Sequence, residues 1–286
     1  MIEIGDIRLH LICESSYYMD PGGVFGLVPR ALWSRYATPD ASHLIAMVST
    51  VLLVQTAGMN VLVDTGQGDK LAEKMVSFLR LERPGGGISG ALARLGLTSA
   101  DIHLVIDTHL HGDHCGGNTA FDDAGGVVPV YPNAEYVVQR REYEDALRPN
   151  ERTRATYIAA NFQPLVESGQ MRLLDGDTDL APGVRGVVTP GHTPGHMSVV
   201  IESQGQRALF VCDMASYAVH FERLGWMTAY DVEPLITLET KRSWQQWALE
   251  HNALLVFVHD PDRRAGRLEL DERGQPLLHP VYEPYV

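Results

Sequence analysis

The sequence predicts an α/β fold in which two β-sheets lie face to face between outer layers of helices. Two observations carry this prediction. Short apolar runs typical of strands alternate with helical spacing in both halves of the chain, and no stretch of flexible composition divides those halves. The 286 residues, of which 45% are hydrophobic, suffice for one sizeable core. We therefore expect a single domain over residues 1–286.

The N-terminal segments begin with a loosely alternating strand over residues 4–13. Residues 14–43 then form a long segment rich in proline, glycine and large apolar side chains. Such a composition predicts a loop over the active site or at a dimer interface, with a satellite core cluster as the alternative. The remaining patterns of this half predict strands at 44–55, 60–63, 103–107, 127–131 and 135–138, and helices at 69–82, 88–95, 140–147 and 152–161.

The C-terminal segments show the same alternation of short apolar runs with helical spacing. Leu235, Leu238 and Trp244 are partly periodic, which predicts a helix over residues 234–250. The tail, residues 266–286, is expected to form a terminal hairpin. The apolar runs predict strands at 171–174, 184–188, 197–203, 207–212 and 253–258.

The charge of the chain argues against two classes of partner. Its formal net charge of -13 would repel phosphate backbones and anionic membrane surfaces, so neither nucleic acid nor a membrane is an expected partner. No run of about 18 apolar residues and no signal peptide is evident. The three cysteines form no CxxC pair, which favours a reducing, cytoplasmic setting.

The densest chemical feature is the sequence HLHGDH at residues 109–114, directly after a predicted strand. It places His109, His111, Asp113 and His114 within six residues. Imidazole and carboxylate groups suit zinc and other first-row divalent ions. Because residues two apart at a strand end point the same way, His109 and His111 can hold one ion together. Asp113 and His114 can then face a second ion nearby.

Three further residues of ligating type lie at or just past the ends of apolar runs. His192 follows VVTPG, Asp213 follows ALFVC, and His259 follows LLVFV. A single histidine at a strand end would mean little. Together with the local cluster, however, these three residues predict one assembled metal site, because sites in sheet proteins gather at strand ends.

These motifs resemble the metallo-β-lactamase superfamily. The resemblance rests on THLHGDH, TPGHTPGH at 189–196, and strands ending at Asp213 and His259, and it extends from VDTG at 63–66 to His259. It implies an αββα sandwich with two divalent ions, zinc first and manganese, iron or cobalt as alternatives. It also implies the ligand assignment: a first ion on His109, His111 and His192, a second on Asp113, His114 and His259, and Asp213 bridging both.

Such a site implies hydrolysis by a metal-bridging hydroxide. Asp113 is then a candidate proton shuttle. Tyr217 is a candidate donor to the developing oxyanion, or alternatively a pocket-lining aromatic. Asp64 either orients a ligand histidine or serves as a turn residue. His196 is expected to make a structural hydrogen bond and is not expected to be a ligand.

Within the superfamily, the chain looks closest to the quorum-quenching lactonases and the related methyl-parathion-type hydrolases. These have a similar length and a long apolar N-terminal loop over the metals. The acyl-homoserine lactonases also carry a Tyr shortly after the bridging Asp, although the DMASY stretch at 213–217 is one residue longer. We expect hydrolysis of a lactone or ester, with acyl-homoserine lactones first. The expected pocket is apolar and lined by Met19, Phe25, Leu27, Trp33, Tyr217 and Phe221.

Other functions remain open at this point. Organophosphate triester hydrolysis on the same metal site is the leading alternative, followed by thioester hydrolysis of the glyoxalase II type. A redox protein with iron in the same ligands, or a metal-binding scaffold without activity, belongs to a different class. True β-lactamases are disfavoured because they carry no bridging carboxylate at the position of Asp213. RNA-processing members need a basic surface that this chain lacks.

Overall fold

Most apolar runs of the chain form strands of two large sheets, in a computed structural model that describes residues 1–281 and 285–286. The first sheet has seven strands in the order β1-β2-β3-β4-β5-β8-β9. Parallel pairing begins where β5 lies between β4 and β8. These strands are Ile2–Ile4 (β1), Ile7–Met19 (β2), Ile45–Thr56 (β3), Met59–Val63 (β4), Leu104–Ile106 (β5), Glu135–Gln139 (β8) and Met171–Leu174 (β9).

The second sheet also has seven strands, in the order β10 to β16, and only β13 and β14 pair in parallel. Its strands are Thr178–Ala181 (β10), Val184–Val188 (β11), Met197–Ser203 (β12), Gln206–Phe210 (β13), Leu254–Val256 (β14), Ala265–Leu270 (β15) and Pro276–Pro280 (β16). A small two-stranded sheet stands apart and consists of Thr119–Phe121 (β6) and Val127–Pro129 (β7).

The helices are short except for the last one. The eighteen-residue helix Pro234–His251 (α9) begins with proline at its first position and ends at Asn252 in the left-handed conformation, so both ends follow common capping preferences. The others are Pro21–Phe25 (α1), Arg30–Trp33 (α2), Glu73–Leu79 (α3), Gly87–Arg94 (α4), Gly112–Cys115 (α5), Arg140–Leu147 (α6), Gln163–Glu167 (α7) and Ala218–Glu222 (α8).

Three buried clusters hold these layers together. The central one lies between the two sheets and joins Leu52 and Val61 of the first to Val199 and Phe210 of the second. An outer cluster packs α4 and α7 against the first sheet. Another packs α8 and α9 against the second sheet. The order helix, sheet, sheet, helix confirms the predicted αββα sandwich.

The segment 14–43 is more regular than the predicted loop. Strand β2 continues to Met19, because a register shift between Cys13 and Ser15 lets the strand bend and keep pairing with β3. Two short helices, α1 and α2, follow. The prediction of a loop is therefore wrong for the parts of the segment that form β2, α1 and α2. The predicted single domain and dimer contact stay predictions.

One further prediction is wrong, for residues 152–161, and another, for the C-terminal tail, is confirmed. Residues 152–161 form turns and a short 3₁₀ segment instead of the predicted helix, and the helix nearby begins at Gln163 with Pro164 in its first turn. The terminal hairpin is confirmed by the pairing of β15 with β16, although residues 282–284 lie outside the described part. None of the helices in the described residues is long and apolar enough to cross a membrane.

Candidate metal centre

All seven predicted metal ligands lie just beyond the carboxyl ends of strands. His109 follows β5, and His111 is the N-cap of the short helix α5 that carries Asp113 and His114. His192 follows β11. Since β13 and β14 are parallel neighbours, Asp213 and His259 emerge at the same edge of the second sheet. The two sheets thus deliver their ligand types to one place.

The first group consists of His109, His111 and His192, whose ligand atoms lie within 4.8 Å of one another. Nδ1 of His111 is 3.1 Å from Nε2 of His192. Ligand atoms at the corners of a tetrahedral zinc site, with bonds of about 2.0–2.1 Å, stand roughly 3.3 Å apart. The spacing therefore matches two ligands of one ion.

The second group consists of Asp113, His114 and His259. Oδ2 of Asp113 is 3.8 Å from Nε2 of His114 and 3.7 Å from Nε2 of His259. Asp213 stands between the groups, because its Oδ2 is 3.2 Å from Nε2 of His114 and 3.3 Å from Nε2 of His192. Its Oδ1 is 3.4 Å from Nε2 of His259. This placement is what a bridging carboxylate requires, and the bridge itself stays a prediction.

Acceptors outside the cluster fix the orientation of three histidines. Nδ1 of His114 donates to Asp64 at 2.9 Å, and Nδ1 of His192 donates to Asp231 at 2.9 Å. Nδ1 of His259 donates to the carbonyl of Val48 at 2.8 Å. A proton held on Nδ1 leaves the lone pair of Nε2 free for a metal ion, which is the arrangement found around most ligating histidines.

The donor set fits divalent ions on chemical grounds. Nε2 of His109 is buried and has no hydrogen-bond partner within the described residues, and its nearest carboxylate oxygen, on Asp213, is 3.8 Å away. Buried polar atoms rarely stay without a partner. Burial and the neighbouring His114 hold the pKa of His109 well below its usual range, so this imidazole is neutral and able to ligate.

Electrostatics in the cluster favour a charged carboxylate. Burial alone would raise the pKa of Asp213. Electrostatic attraction from His259, His192 and His114 outweighs burial and holds that pKa well below its usual range. Burial alone would lower the pKa of His192, yet Asp213 and Asp231 raise it. Protons and metal ions therefore compete for these nitrogens, as in other metal sites.

Two residues with strained backbone stand beside the candidate ligands. Asp64 and Cys212 adopt φ angles of 61° and 51°, in the left-handed region that side chains other than glycine rarely enter. Asp64 directs its carboxylate to His114, and Cys212 precedes Asp213. Gly117, just after helix α5, allows the chain to lie close to Thr65 at the end of β4. A Cβ at position 117 would lie 2.3 Å from the carbonyl oxygen of Thr65. Strain of this kind is often stored at functional sites.

The cluster opens into a cavity of about 520 Å³. Its volume falls within the usual range of small-molecule pockets, about 300–1,000 Å³. Polar groups of His111, Asp113, His192, Asp213 and His259 face it at one end. The rest of the lining is largely apolar, with contributions from Met19, Val24, Met47, Leu71, Met75, Phe78, Leu79 and Ile158.

Only Met19 among the residues predicted for the pocket lines this cavity. Leu27 is fully exposed and lines a separate surface groove. Phe25 and Trp33 stack with their ring centroids 5.3 Å apart. They pack with Tyr217 in a buried cluster that also contains Val24 and Met47. The expected lining was wrong there because the large aromatic groups of this segment complete a core of their own.

Phe221 and Tyr217 also depart from expectation. Phe221 is buried against Phe257 in the core under α9, on the outer face of the second sheet. The hydroxyl of Tyr217 donates to the carbonyl of Ala46 at 2.8 Å, in a buried position. Tyr217 does not line the cavity, so the structure does not support its predicted role as an oxyanion donor and agrees better with a buried structural tyrosine.

Several residues that support the site carried no visible signal in the sequence. Asp231 lies in an irregular stretch, and no pattern links it to His192. Glu142 lies in helix α6, and its sequence context does not distinguish it from the other charged residues there. It is fully buried and accepts hydrogen bonds from the backbone of Leu110 at 3.0 Å and from Thr193 at 2.5 Å. The Glu142 carboxylate therefore ties together the two loops that carry the first group of histidines.

The remaining predicted residues are placed as follows. Asp64 accepts a hydrogen bond from His114, which agrees with the hypothesis that it orients a ligand histidine. Nδ1 of His196 contacts Thr189, 2.8 Å from the hydroxyl, which agrees with a structural hydrogen bond. Asp113 is the most exposed of the carboxylates in the cluster, with 31% of its side chain accessible, and it faces the cavity.

Comparisons with known proteins agree with this geometry. A family model described as the metallo-beta-lactamase superfamily matches residues 45–274. An N-acyl homoserine lactonase from Bacillus sp is 31% identical over 180 residues, which cover 63% of this chain and 64% of that protein. The match therefore spans somewhat less than two thirds of the relative's length.

Solved structures extend the similarity to nearly the whole chain. A probable metal-dependent hydrolase from Staphylococcus aureus superposes with a TM-score of 0.86 at 30% identity, covering 99% of this chain and 100% of that one. AidC, described as a dizinc quorum-quenching lactonase in complex with a product, superposes with a TM-score of 0.79 at 19% identity. That match covers 99% of this chain and 97% of AidC and shows the shared fold.

Proposed function

Because the chain belongs to the metallo-β-lactamase superfamily, we propose that it is a metal-dependent lactonase acting on N-acyl homoserine lactones. The observation that carries the proposal is the position of the His and Asp cluster at the polar end of an apolar cavity. A lactone ring can reach the cluster while an acyl chain lies along the apolar wall. The activity named for the Bacillus relative supports this substrate class.

The proposed ligands are two sets with one shared member. One divalent ion would be held by His109, His111 and His192. A second would be held by Asp113, His114 and His259. Asp213 would bind both ions. Zinc is the first candidate, given the nitrogen-rich donors. Ions bound there would supply activated water and polarisation of the ester carbonyl at neutral pH.

The chain's own residues would orient the reactants and move the proton. Ser216 donates to Oδ1 of Asp213 at 2.8 Å and so fixes the plane of that carboxylate. Asp113 faces the cavity and is the candidate to hold the proton and return it to the alkoxide that ring opening releases. The walls formed by Met47, Leu79 and Ile158 would exclude bulk water around the reacting ester.

The apolar wall supports an acyl substrate over a glutathione thioester. The described lining includes no arginine or lysine that could meet the carboxylates of glutathione. Phosphotriester hydrolysis on the same metals remains the alternative, since an uncharged phosphotriester would also fit an apolar cavity. The cytoplasmic location and the homodimer stay predictions.

A hydrolysis panel on protein of known zinc content tests the proposal. It contains N-decanoyl-homoserine lactone, a simple γ-lactone, an aryl ester, paraoxon and S-lactoylglutathione. We expect the lactones to be turned over fastest and a chelator to abolish the activity. Asp213→Ala should be inactive, whereas Tyr217→Phe, altered outside the cavity, should keep the substrate order. Preferred turnover of paraoxon or of the thioester would contradict the lactonase proposal.

A further inference from the structure

One polar group in the cavity wall takes no part in the proposed hydrolysis. Tyr230 lines the cavity together with Asp113 and His192. Within the described residues its hydroxyl makes no hydrogen bond, and 41% of the residue is exposed. A phenol that faces a cavity with its hydroxyl unpaired can bind a polar atom of a ligand.

The turn that carries Tyr230 is anchored on both sides. Asp231, the next residue, holds His192 and accepts a hydrogen bond from Thr228 at 2.7 Å. On the other side, the backbone nitrogen of Ala229 donates to the carbonyl of Gly23 at 2.9 Å. The turn that orients His192 therefore also holds the phenol in the wall of the same cavity, as a preorganised binding group requires.

Helix α1 leaves room for the phenol through a glycine. A Cβ at Gly23 would lie 2.6 Å from the hydroxyl oxygen of Tyr230 and 3.0 Å from two ring carbons. Any larger residue at position 23 would displace the ring. Burial, with added repulsion from Asp113 and Asp20, raises the pKa of Tyr230, so the hydroxyl keeps its proton and can donate.

The depth of the groups indicates which substrate atom meets this hydroxyl. His111, His192 and Asp213 are 5%, 2% and 6% exposed and form the buried end of the cavity, where the reacting ester must lie. Tyr230 is far more exposed and stands nearer the rim. It therefore faces the part of the substrate outside the lactone ring, where an N-acyl lactone carries its amide.

We propose that Tyr230 is a specificity-determining residue whose hydroxyl donates a hydrogen bond to the amide oxygen of the N-acyl lactone. The inference rests on the proposed lactonase function. It assigns to Tyr230 a substrate contact that Tyr217 cannot make, since the hydroxyl of Tyr217 is bonded to Ala46. The hydrogen bond would select acylated over unacylated lactones.

The test compares Tyr230→Phe with wild type on N-hexanoyl-homoserine lactone and on γ-butyrolactone. For the acylated substrate KM should rise about five- to tenfold, the loss expected for one neutral hydrogen bond, with kcat nearly unchanged. For γ-butyrolactone both constants should stay the same. Tyr217→Phe is the matched control, because it removes a phenol hydroxyl outside the cavity and should leave the ratio of the two substrates unchanged.

A second variant approaches the same contact from the other side. Gly23→Ala should raise KM for the acylated lactone to a similar extent by displacing the phenol. The double variant Gly23→Ala, Tyr230→Phe should be no worse than Gly23→Ala alone, because the hydroxyl has already left its position. Fully additive losses would overturn the proposal.

The remaining outcomes separate this inference from the proposed function. If wild type hydrolyses no lactone, both fall together. If wild type is active and Tyr230→Phe keeps the wild-type KM, this inference alone is wrong. An equal loss on γ-butyrolactone would also overturn it, since the hydroxyl would then contact the ring. Loss of bound zinc in Tyr230→Phe would assign the residue to support of the metal turn and refute the substrate contact.

Discussion

Asp64 and Asp231 each accept a hydrogen bond from one histidine, and the two histidines belong to different groups of the proposed metal centre. Asp231 contacts His192 of the first group, and Asp64 contacts His114 of the second. Replacement of one carboxylate should therefore weaken the binding of one ion and spare the other. Loss of such an outer partner commonly lowers metal affinity about 10- to 100-fold, or about 1.4–2.7 kcal/mol.

The hydrogen bonds of each carboxylate set the size of the effect for an asparagine variant. Both donors to Asp231, from His192 and Thr228, reach the same atom, Oδ1. Asparagine at 231 can keep its carbonyl oxygen there, so Asp231→Asn loses the charge but keeps the geometry. We expect a loss near the lower limit, about tenfold, for the ion of the first group.

Asp64 uses both of its oxygens. Oδ1 accepts from the backbone of Thr108 at 2.9 Å, and Oδ2 accepts from His114 at 2.9 Å. An asparagine must turn its NH2 toward one of these donors and leave it unsatisfied, which costs about 1–3 kcal/mol. Asp64→Asn should therefore weaken the ion of the second group more than Asp231→Asn weakens the first, by about another tenfold.

Competition titration with a chromophoric zinc chelator measures both affinities. Each variant should show one zinc ion bound as in wild type and one bound more weakly, with thermal unfolding of the zinc-loaded proteins as the control for folding. Weakening of both ions in one variant, or of neither ion in both variants, would refute the assignment of the two groups. A smaller effect for Asp64→Asn than for Asp231→Asn would contradict the hydrogen-bond argument.

Three further changes test other parts of the structure. Phe78→Ala should lower kcat/KM for N-decanoyl- relative to N-butanoyl-homoserine lactone about fivefold, because it removes apolar wall. Tyr217→Phe should cost about 0.5–1.5 kcal/mol in urea unfolding through the lost bond to Ala46. Burial lowers the pKa of Lys241 to about 8 from 10.5, against the opposing charge of Asp231. As the pH rises, Lys241 in the folded protein therefore loses its proton before Lys241 in the unfolded chain does. The free energy of unfolding of wild type should rise relative to that of Lys241→Met by about 3 kcal/mol between pH 8 and 10.5. A pH-independent difference would contradict this.

The gathering of the seven candidate ligands in one place was predictable, because close spacing and positions at strand ends are both visible in a sequence. HLHGDH brings four candidate ligands together within six residues, and His192, Asp213 and His259 each follow an apolar run. The superfamily and the αββα sandwich inferred from these motifs are confirmed. The periodicity of residues 234–250 likewise matches helix α9 within a residue.

The pocket could not be predicted, because it depends on which side of a packed segment faces the metals. Met19 and Phe25 lie six residues apart, yet only Met19 reaches the cavity, while Phe25 stacks on Trp33. An irregular segment with two short helices has no regular periodicity in its sequence, so the side chains that face the cavity cannot be identified from the sequence. Asp231 and Tyr230 were not predicted for a related reason. Asp231 contacts His192 and Tyr230 lies against Gly23, and both neighbours are distant in sequence.

The measurement that tests the central claim most directly is the rate of N-acyl homoserine lactone hydrolysis during stepwise return of zinc to the chelated protein. We expect no turnover without metal and full turnover only as the second equivalent binds, because Asp213 contacts histidines of both groups. Turnover by the metal-free protein, or full activity at one equivalent, would contradict a dinuclear metal-dependent lactonase.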